Sequence, residues 1–116
     1  MPLVDDISRI HHIIEASERA LEFTHGRKRS DLDQDVILGL ALVRLLEIIG
    51  EAAWGISEKL RSKYPEIPWR DMTSMRNRLI HGYLDVNLDT VWETVTIELP
   101  PLVSQLRELL QKETKQ

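Results

Sequence analysis

The sequence contains no cysteine. This absence excludes disulfide frameworks, zinc sites built on thiolates and catalysis by a cysteine nucleophile. It also favours a reducing compartment, so we expect a cytoplasmic protein. No apolar run reaches the roughly 20 residues that a membrane-spanning helix needs. Residues 1–8 lack the basic start and the apolar stretch of a signal peptide. We therefore expect no contact with a membrane.

Positive charge is also scarce, because 15 Lys and Arg residues face 19 Asp and Glu residues, for a net charge of −4. This balance argues against a protein that coats nucleic acid along its length. One segment departs from it, since basic residues outnumber acidic ones between Arg61 and His81. The basic members are Arg61, Lys63, Arg70, Arg76 and Arg78, and the acidic members are Glu66 and Asp71. The segment can form one positive face on an acidic body, although charge alone favours a solvated surface with ordinary ion pairs.

The length of 116 residues fits one domain that buries its own core. The chain has no internal repeat, no low-complexity stretch and no interdomain linker. No segment alternates apolar and polar residues for long enough to predict a strand. The sequence therefore predicts an all-α fold, a bundle of four to five helices formed by residues 1–116 as a single domain.

The first predicted helix begins at Asp5 or Asp6, because aspartate is a good N-cap residue, and it stops at Gly26. Its apolar side chains recur at spacings of three, four or seven, which places them on one face. The predicted core residues of this helix are Ile7, Ile10, Ile14, Leu21 and Thr24.

The second predicted helix begins after Asp31 or Asp33 and ends by Tyr64, because prolines follow that residue closely. It is apolar around much of its circumference, so it is predicted to be central. Gly50 and Gly55 fall inside it and indicate a close helix approach or a bend. The side chains predicted to face the core are Val36, Ile37, Leu40, Val43, Leu46 and Ile49.

Two further helices complete the predicted bundle. The third runs from about Trp69 to Ile80, with Gly82 as its stop. The fourth is capped by Asn87 and carries apolar residues at spacings of three and four. Pro100–Pro101 interrupt it, so we expect a kink there.

The segment richest in chemistry is RNRLIHGY, from Arg76 to Tyr83. Arginine suits phosphate because its planar fork donates two parallel hydrogen bonds. Histidine suits proton transfer because its unperturbed pKa lies near neutrality. RNA can be cleaved without a metal when a base removes the 2′-hydroxyl proton, an acid protonates the leaving 5′-oxygen, and positive charge surrounds the transition state. Arg76 and His81 supply these functions.

Geometry adds a condition. Five residues along a helix change the direction of the side chain by about 140°. Arg76 and His81 can therefore converge only if the helix ends near Ile80, an ending that Gly82 permits.

A single histidine cannot serve as both acid and base, and the other histidines, His11, His12 and His25, lie far away in sequence. A two-fold homodimer solves this problem by placing two copies of Arg76 and His81 across one cleft. His11 and His12 are adjacent on a helix and point in different directions, which makes them a poor metal pair. We predict no metal site.

The spacing by itself is weak evidence. An arginine and a histidine near a helix end are usually surface residues or bind the last carbonyls of the helix. Tyr83 alone would more often pack half-buried, and Asn77 alone would more often form local hydrogen bonds.

The motif gains specificity from its context. The pattern Arg76, Asn77, His81 and Tyr83 resembles the Arg-x4-His-x-Tyr motif of the HepT-like toxin family of the HEPN superfamily. The resemblance covers nearly the whole chain. The flanking segments that agree are IGEAA at 49–53, IPW at 67–69, VW at 91–92 and LP at 99–100.

The resemblance implies an HEPN-type helical bundle that forms homodimers and cleaves RNA without metal or cofactor. Arg76 and His81 would be its catalytic pair, with Asn77 in a supporting role. The implied partner is an antitoxin, a minimal nucleotidyltransferase (MntA-like) that transfers AMP from ATP to Tyr83. An AMP group at Tyr83 would add bulk and negative charge two residues from His81, and both would exclude RNA from the cleft.

Other residues receive weaker assignments. Arg70 and Arg78 are predicted to steer RNA toward the cleft, with solvated surface charge as the alternative. Glu51 either faces the cleft or pairs with an arginine, with a helix-surface carboxylate as the alternative. For the tryptophans, packing in the core or at a dimer interface is favoured over base stacking: Trp54, Trp69 and Trp92. Two other functions stay open, namely a module that binds nucleotide, RNA or a partner without cutting, and a scaffold for the nucleotidyltransferase.

Overall fold

The computed structural model describes residues 5–82 and 85–115, with side chains for 5–80 and 85–115. Helices dominate this part of the chain, which confirms the all-α class. Two long helices, α1 (Asp6–Thr24) and α3 (Val36–Trp54), pack along each other. The shorter helices are α2 (Asp31–Gln34), α4 (Glu58–Lys63), α5 (Trp69–Thr73), α6 (Met75–Leu79) and α7 (Leu88–Glu93). Within the described ranges, no helix combines the length and the apolar character needed to cross a bilayer.

The C-terminal part forms one helical rod that packs against α1. It consists of α7, a π-helical turn (Thr94–Glu98) and α8 (Leu99–Thr114). The predicted kink at Pro100–Pro101 takes the form of this wider turn, which lies just before the prolines. A proline has no N–H to donate and its ring clashes with the carbonyl four residues earlier, so the chain relieves the clash in the preceding turn.

Side-chain caps define where the helices begin. Asp5 accepts a hydrogen bond from the Ser8 N–H at 2.7 Å, and Asn87 accepts one from the Thr90 N–H at 3.0 Å. Both predicted caps are confirmed. The second long helix was predicted to begin after Asp31 or Asp33, but it begins at Val36. Asp35 ends the short helix α2 and caps α3 by accepting a hydrogen bond from the Leu38 N–H.

The core lies between α1, α3 and the C-terminal rod. Ile10, Leu42, Leu46, Ile49 and Leu106 have no exposed surface. Burying one such side chain contributes about 1.5–3 kcal/mol to the free energy of folding. The other members predicted for α1 are buried or partly buried, which confirms the apolar face of that helix.

The N-terminal part of α3 corrects the predicted core. Val36, Ile37 and Leu40 are 69%, 79% and 65% exposed. The neighbouring elements cover only the opposite face of α3, where Leu38 and Leu42 are buried. The prediction is right for Leu46 and Ile49 and approximately right for the partly buried Val43, but it is wrong for these three residues. We call Val36, Ile37 and Leu40 the apolar patch.

The predicted second helix also ends too late. It stops at Trp54, with Gly55 as its C-cap, and α4 begins afresh after the cap Ser57. Asp6 accepts hydrogen bonds from the Ser57 hydroxyl at 2.5 Å and from its N–H at 2.9 Å. A Cβ at Gly55 would lie 2.1 Å from the guanidinium of Arg9. Contacts with α1 therefore fix the turn between α3 and α4.

The predicted third helix is divided. It breaks at Ser74 into α5 and α6, and Ile80 turns extended at φ −114° and ψ 120°. Two short strands follow, β1 (Ile80–Gly82) and β2 (Asp85–Val86), which pair antiparallel. The expectations of no strand and of a stop at Gly82 are therefore wrong, since Gly82 pairs with Asp85 instead. The predicted helix end near Ile80 is confirmed.

Candidate functional site

A groove lies between the C-terminal half of α3 and the α5–α6 segment. Its cavity volume is about 300 Å³, at the lower end of the range for small-molecule sites. Its lining residues are Glu47, Gly50, Glu51, Trp54, Thr73 and Arg76. The groove brings Arg76 into one concave surface with Glu51 and Trp54, which the sequence places more than 20 residues away.

The absence of a side chain at Gly50 positions α5 and α6 on α3. A Cβ at Gly50 would lie 3.0 Å from the carbonyl oxygen of Met72 and 3.4 Å from the Cβ of Met75. Both methionines are buried, with exposed fractions of 1% and 2%. Because Met75 faces the core, Arg76, its neighbour on the short helix, lies on the exposed side.

Arg76 is exposed, and within the described residues its side chain forms no hydrogen bond or ion pair. Arg78, two residues later, donates to Glu98 at 2.8 Å. Arg70, on α5, is exposed as well. A guanidinium whose donors are not engaged by a carboxylate can bind a phosphate with its whole fork. Arg76 is in that state, whereas Arg78 already has an anionic partner.

Ion pairs also reduce the positive face that the sequence suggested. Lys63 lies 2.7 Å from Glu113, and Arg78 pairs with Glu98, so two of the five cations meet carboxylates from α8 and the π-helical turn. The positive character that remains in the groove is centred on Arg76.

The acidic side of the groove carries its own cation. The Nη1 atom of Arg44 lies 3.4 Å from Oε1 of Glu51 and 3.8 Å from Oε1 of Glu47. Glu51 is 70% exposed at its side chain, whereas Glu47 is 24% exposed. The prediction that Glu51 pairs with an arginine is confirmed by Arg44, and its position in the groove lining supports the prediction that it faces the cleft.

The tryptophans divide into two kinds. Trp69 is buried and its indole N–H donates to the carbonyl of Tyr64 at 2.9 Å, while Trp92 packs partly buried against the core. Packing in the core is therefore confirmed for both. Trp54 is 76% exposed and lines the groove, so it is not a core residue.

The backbone of His81 lies in β1, directly after α6. A Cβ at Gly39 would lie 3.8 Å from Leu88 and one at Gly50 would lie 3.4 Å from the Cβ of Met75, so α7 begins near the N-terminal part of α3 and α6 begins near its C-terminal part. The side chain of His81 and the whole of Tyr83 fall outside the described residues. Asn77 is exposed on α6.

Sequence reasoning missed Glu47 and Thr73 as groove residues. The signal was present for Glu47, because Glu47, Glu51 and Trp54 follow each other at spacings of four and three and therefore share a face of α3. Nothing in the sequence pointed to Thr73. For metals, the described part of the chain contains no cluster of three or more His, Asp or Glu residues, and His11 and His12 are both exposed.

Comparison with known proteins decides the family. The sequence profile described as "Ribonuclease HepT-like" matches residues 13–109, which include the groove and the whole Arg76–Tyr83 segment. The chain belongs to the HepT-like ribonuclease family. The three relatives described next agree with this HepT-like protein in length as well as in sequence, and no solved structure matches it.

Three relatives are representative. A protein of Caldanaerobacter subterraneus subsp. tengcongensis, provisionally assigned as an RNase, is 40% identical over 90% of this chain and 93% of its own. A Thermococcus cleftensis protein assigned in the same way as ribonuclease HepT is 39% identical over 86% of this chain and 91% of its own. A Methanocaldococcus jannaschii protein, also provisionally assigned as an RNase, is 34% identical over 95% of this chain and 91% of its own.

Proposed function

We propose that this HepT-like protein is a metal-independent endoribonuclease toxin. Its composite site is formed by Arg76 and His81 of two subunits across a homodimer cleft, and its activity is neutralised by AMPylation of Tyr83. The observation that carries the proposal is the exposed Arg76 side chain, without an ionic partner among the described residues, in a groove on helix α6, which is followed directly by the strand of His81. Family membership supplies the reaction class.

The proposed reaction is an internal transesterification. One imidazole removes the 2′-hydroxyl proton, and the 2′-oxygen forms a bond to the adjacent phosphorus. The bond from phosphorus to the 5′-oxygen breaks, and the second imidazole, as imidazolium, protonates that leaving oxygen. Arg76 donates to the phosphoryl oxygens, where negative charge accumulates in the transition state. The products are a 2′,3′-cyclic phosphate and a 5′-hydroxyl.

The dimer in this proposal is supported by the exposed face of α3. The apolar patch leaves three large side chains on the surface of a single subunit, and contiguous exposure of this kind is typical of interaction sites. Pairing of two such patches about a two-fold axis buries them against each other, which suits an isologous interface.

The proposed neutralisation is a transfer of AMP. The phenol oxygen of Tyr83 forms a bond to the α-phosphorus of ATP, the bond between the α- and β-phosphates breaks, pyrophosphate leaves, and the phenol proton goes to solvent. Tyr64, the other tyrosine of the chain, serves as a comparison. The Tyr64 hydroxyl donates to Glu113 at 2.6 Å, and this hydrogen bond raises the pKa of Tyr64 to about 12. Tyr64 is therefore a poor nucleophile.

The cleavage test uses single-stranded RNA in the presence of EDTA. We expect the wild-type protein to cut, and His81→Ala and Arg76→Ala each to lose on the order of 10²–10⁴ in rate, the range for a proton-transfer or oxyanion-stabilising group. Arg107→Ala is the matched control, because Arg107 is exposed and pairs with Glu18 outside the groove. Cutting at the wild-type rate by both site variants would contradict the proposal. Binding of RNA without cutting would instead favour the non-catalytic module.

The modification test uses the cognate nucleotidyltransferase with ATP. We expect the mass to rise by AMP units in the wild-type protein and in Tyr64→Phe, and to stay unchanged in Tyr83→Phe. An unmodified wild-type protein, or a mass gain that survives Tyr83→Phe, would remove this part of the proposal. If Arg76→Ala and His81→Ala both keep every phenotype of the wild-type protein, the chain would be a scaffold for the nucleotidyltransferase instead of a nuclease.

A further inference from the structure

We propose that the Trp54 end of the groove is a nucleobase subsite. There the indole stacks on an unpaired base of single-stranded RNA next to the phosphate bound by Arg76, and the carboxylates of Glu47 and Glu51 select a guanine. The inference rests on the proposed function, because it names the substrate feature that the ribonuclease would recognise.

The exposure of Trp54 is the first observation. The side chain is 76% exposed at the last residue of α3, while the other tryptophans of the chain are packed. It shares a cavity of about 300 Å³ with Arg76. A tryptophan face in a concave site beside a cation offers a stacking surface that every base can use.

The charges that line the groove determine how a bound nucleotide is oriented. Arg76 is the groove cation, whereas Glu47 and Glu51 line the groove from α3. The C-terminal end of α3, where Trp54 lies, also carries partial negative charge from its carbonyls. A phosphate is attracted to Arg76 and repelled from the α3 side. The neutral base must therefore point toward Trp54 and the carboxylates.

The carboxylates make the choice among bases. A carboxylate only accepts hydrogen bonds, so it favours a base edge that presents N–H donors. Guanine presents two adjacent donors, N1–H and N2–H, which fit one carboxylate; adenine and cytosine present one amino group each. Uracil flanks its single N3–H with two carbonyl oxygens, which a carboxylate repels. Arg44 approaches Oε1 of Glu51 at 3.4 Å, which leaves one lone pair of Oε1 and the whole of Oε2 to accept the two donors of guanine.

Stacking in a groove requires a base that is out of a duplex, because paired bases expose only their edges. The subsite therefore predicts that the protein prefers single-stranded or looped RNA and that the base next to the cleaved phosphate is most often guanine.

The binding test uses heptamers of sequence UUUNUUU with 2′-O-methyl groups, which block the attacking oxygen, so binding is measured without cleavage. The readouts are affinity and quenching of tryptophan fluorescence. We expect the guanine heptamer to bind most tightly and the uridine heptamer least. Trp54→Ala should weaken binding roughly ten-fold or more and abolish the quenching, because one stacked base is lost. Trp54→Phe should retain most of the affinity, and Glu51→Gln should narrow the difference between guanine and uridine.

The outcomes that would contradict the subsite can be distinguished from a failure of the nuclease function. Unchanged affinity in Trp54→Ala, or equal binding of all four heptamers by the wild type, overturns the subsite. A Trp54→Ala protein that sediments as a monomer but binds RNA with wild-type affinity assigns Trp54 to the subunit interface and also overturns it. If the wild-type protein binds the guanine heptamer with quenching but leaves the corresponding 2′-hydroxyl RNA uncut, the nuclease function fails while the base-binding site stands.

Discussion

Both faces of α3 carry large apolar side chains, but only one of the two faces is covered by the rest of the chain. On one face, Leu42, Leu46 and Ile49 are fully buried by the rest of the chain. On the other, Ile37 and Leu40 are mostly exposed, and Trp54 is exposed at the C-terminal end. The first face is explained by the folding of a single subunit. The second has no such explanation within the described chain, so its apolar side chains are better explained by what the subunit binds.

The largest expected effect separates the two faces by stability. Ile49→Ala should lower the free energy of unfolding by about 2–5 kcal/mol, because it leaves a cavity in a fully buried site. Leu40→Ala should change it by less than about 0.5 kcal/mol in a dilute, dissociated sample, because the side chain is mostly exposed there. Urea unfolding measures both values. A loss of several kcal/mol in dissociated Leu40→Ala would mean that the exposed face belongs to the core.

The next effect concerns association. Leu40→Asp places a charge in the middle of the apolar patch, so we expect the dimer dissociation constant to rise about 30-fold or more, equivalent to an interface hot spot of at least 2 kcal/mol. Cleavage should fall in parallel with the dimer fraction. Sedimentation velocity measures association, and Ser62→Asp at an exposed position of α4 serves as the charge-matched control. An unaltered dimer in Leu40→Asp would exclude the apolar patch as the interface.

The smallest effect compares two glycines of α3. Gly50→Ala should destabilise the protein by about 1 kcal/mol, because the new Cβ would be only 3.0 Å from the Met72 carbonyl. Gly39→Ala should stabilise it by up to about 1 kcal/mol, since its nearest neighbour is 3.8 Å away and alanine favours a helix. Thermal unfolding measures both. We expect cleavage to fall only in Gly50→Ala, because α5 and α6 must shift; equal responses would show that Gly50 does not position the groove.

Much of the fold follows from local sequence features. The caps Asp5 and Asn87, and the face of Ile10, Leu46 and Ile49, depend on contacts within a few residues and on a period of 3.6. The helix end near Ile80 was also predicted, although Gly82, on which the prediction rested, pairs with Asp85 instead of ending the helix.

The errors share a different cause. The break at Gly55 depends on Arg9 and Asp6, some 50 residues earlier, and the exposure of Ile37 depends on which neighbours α3 acquires. A helix that is apolar on both sides does not reveal in its own sequence which side its chain will cover. Tertiary contacts decided these cases.

The candidate site divides in the same way. The motif from Arg76 to Tyr83 is a local pattern and is visible in the sequence. Its surroundings are not, because Glu47 and Trp54 reach Arg76 only through the packing of α5 and α6 on Gly50. The shared cleft, the role of Tyr83 and the partner enzyme stay predictions.

The most direct measurement of the shared cleft mixes subunits. Wild-type protein is exchanged with a nine-fold excess of His81→Ala, and RNA cleavage in EDTA is measured per wild-type subunit. If both imidazoles of a dimer are required, the activity falls to about one tenth, because only that fraction of wild-type subunits meets a wild-type partner. An activity per wild-type subunit that does not change on mixing would mean that each subunit cuts alone, and it would contradict the composite site.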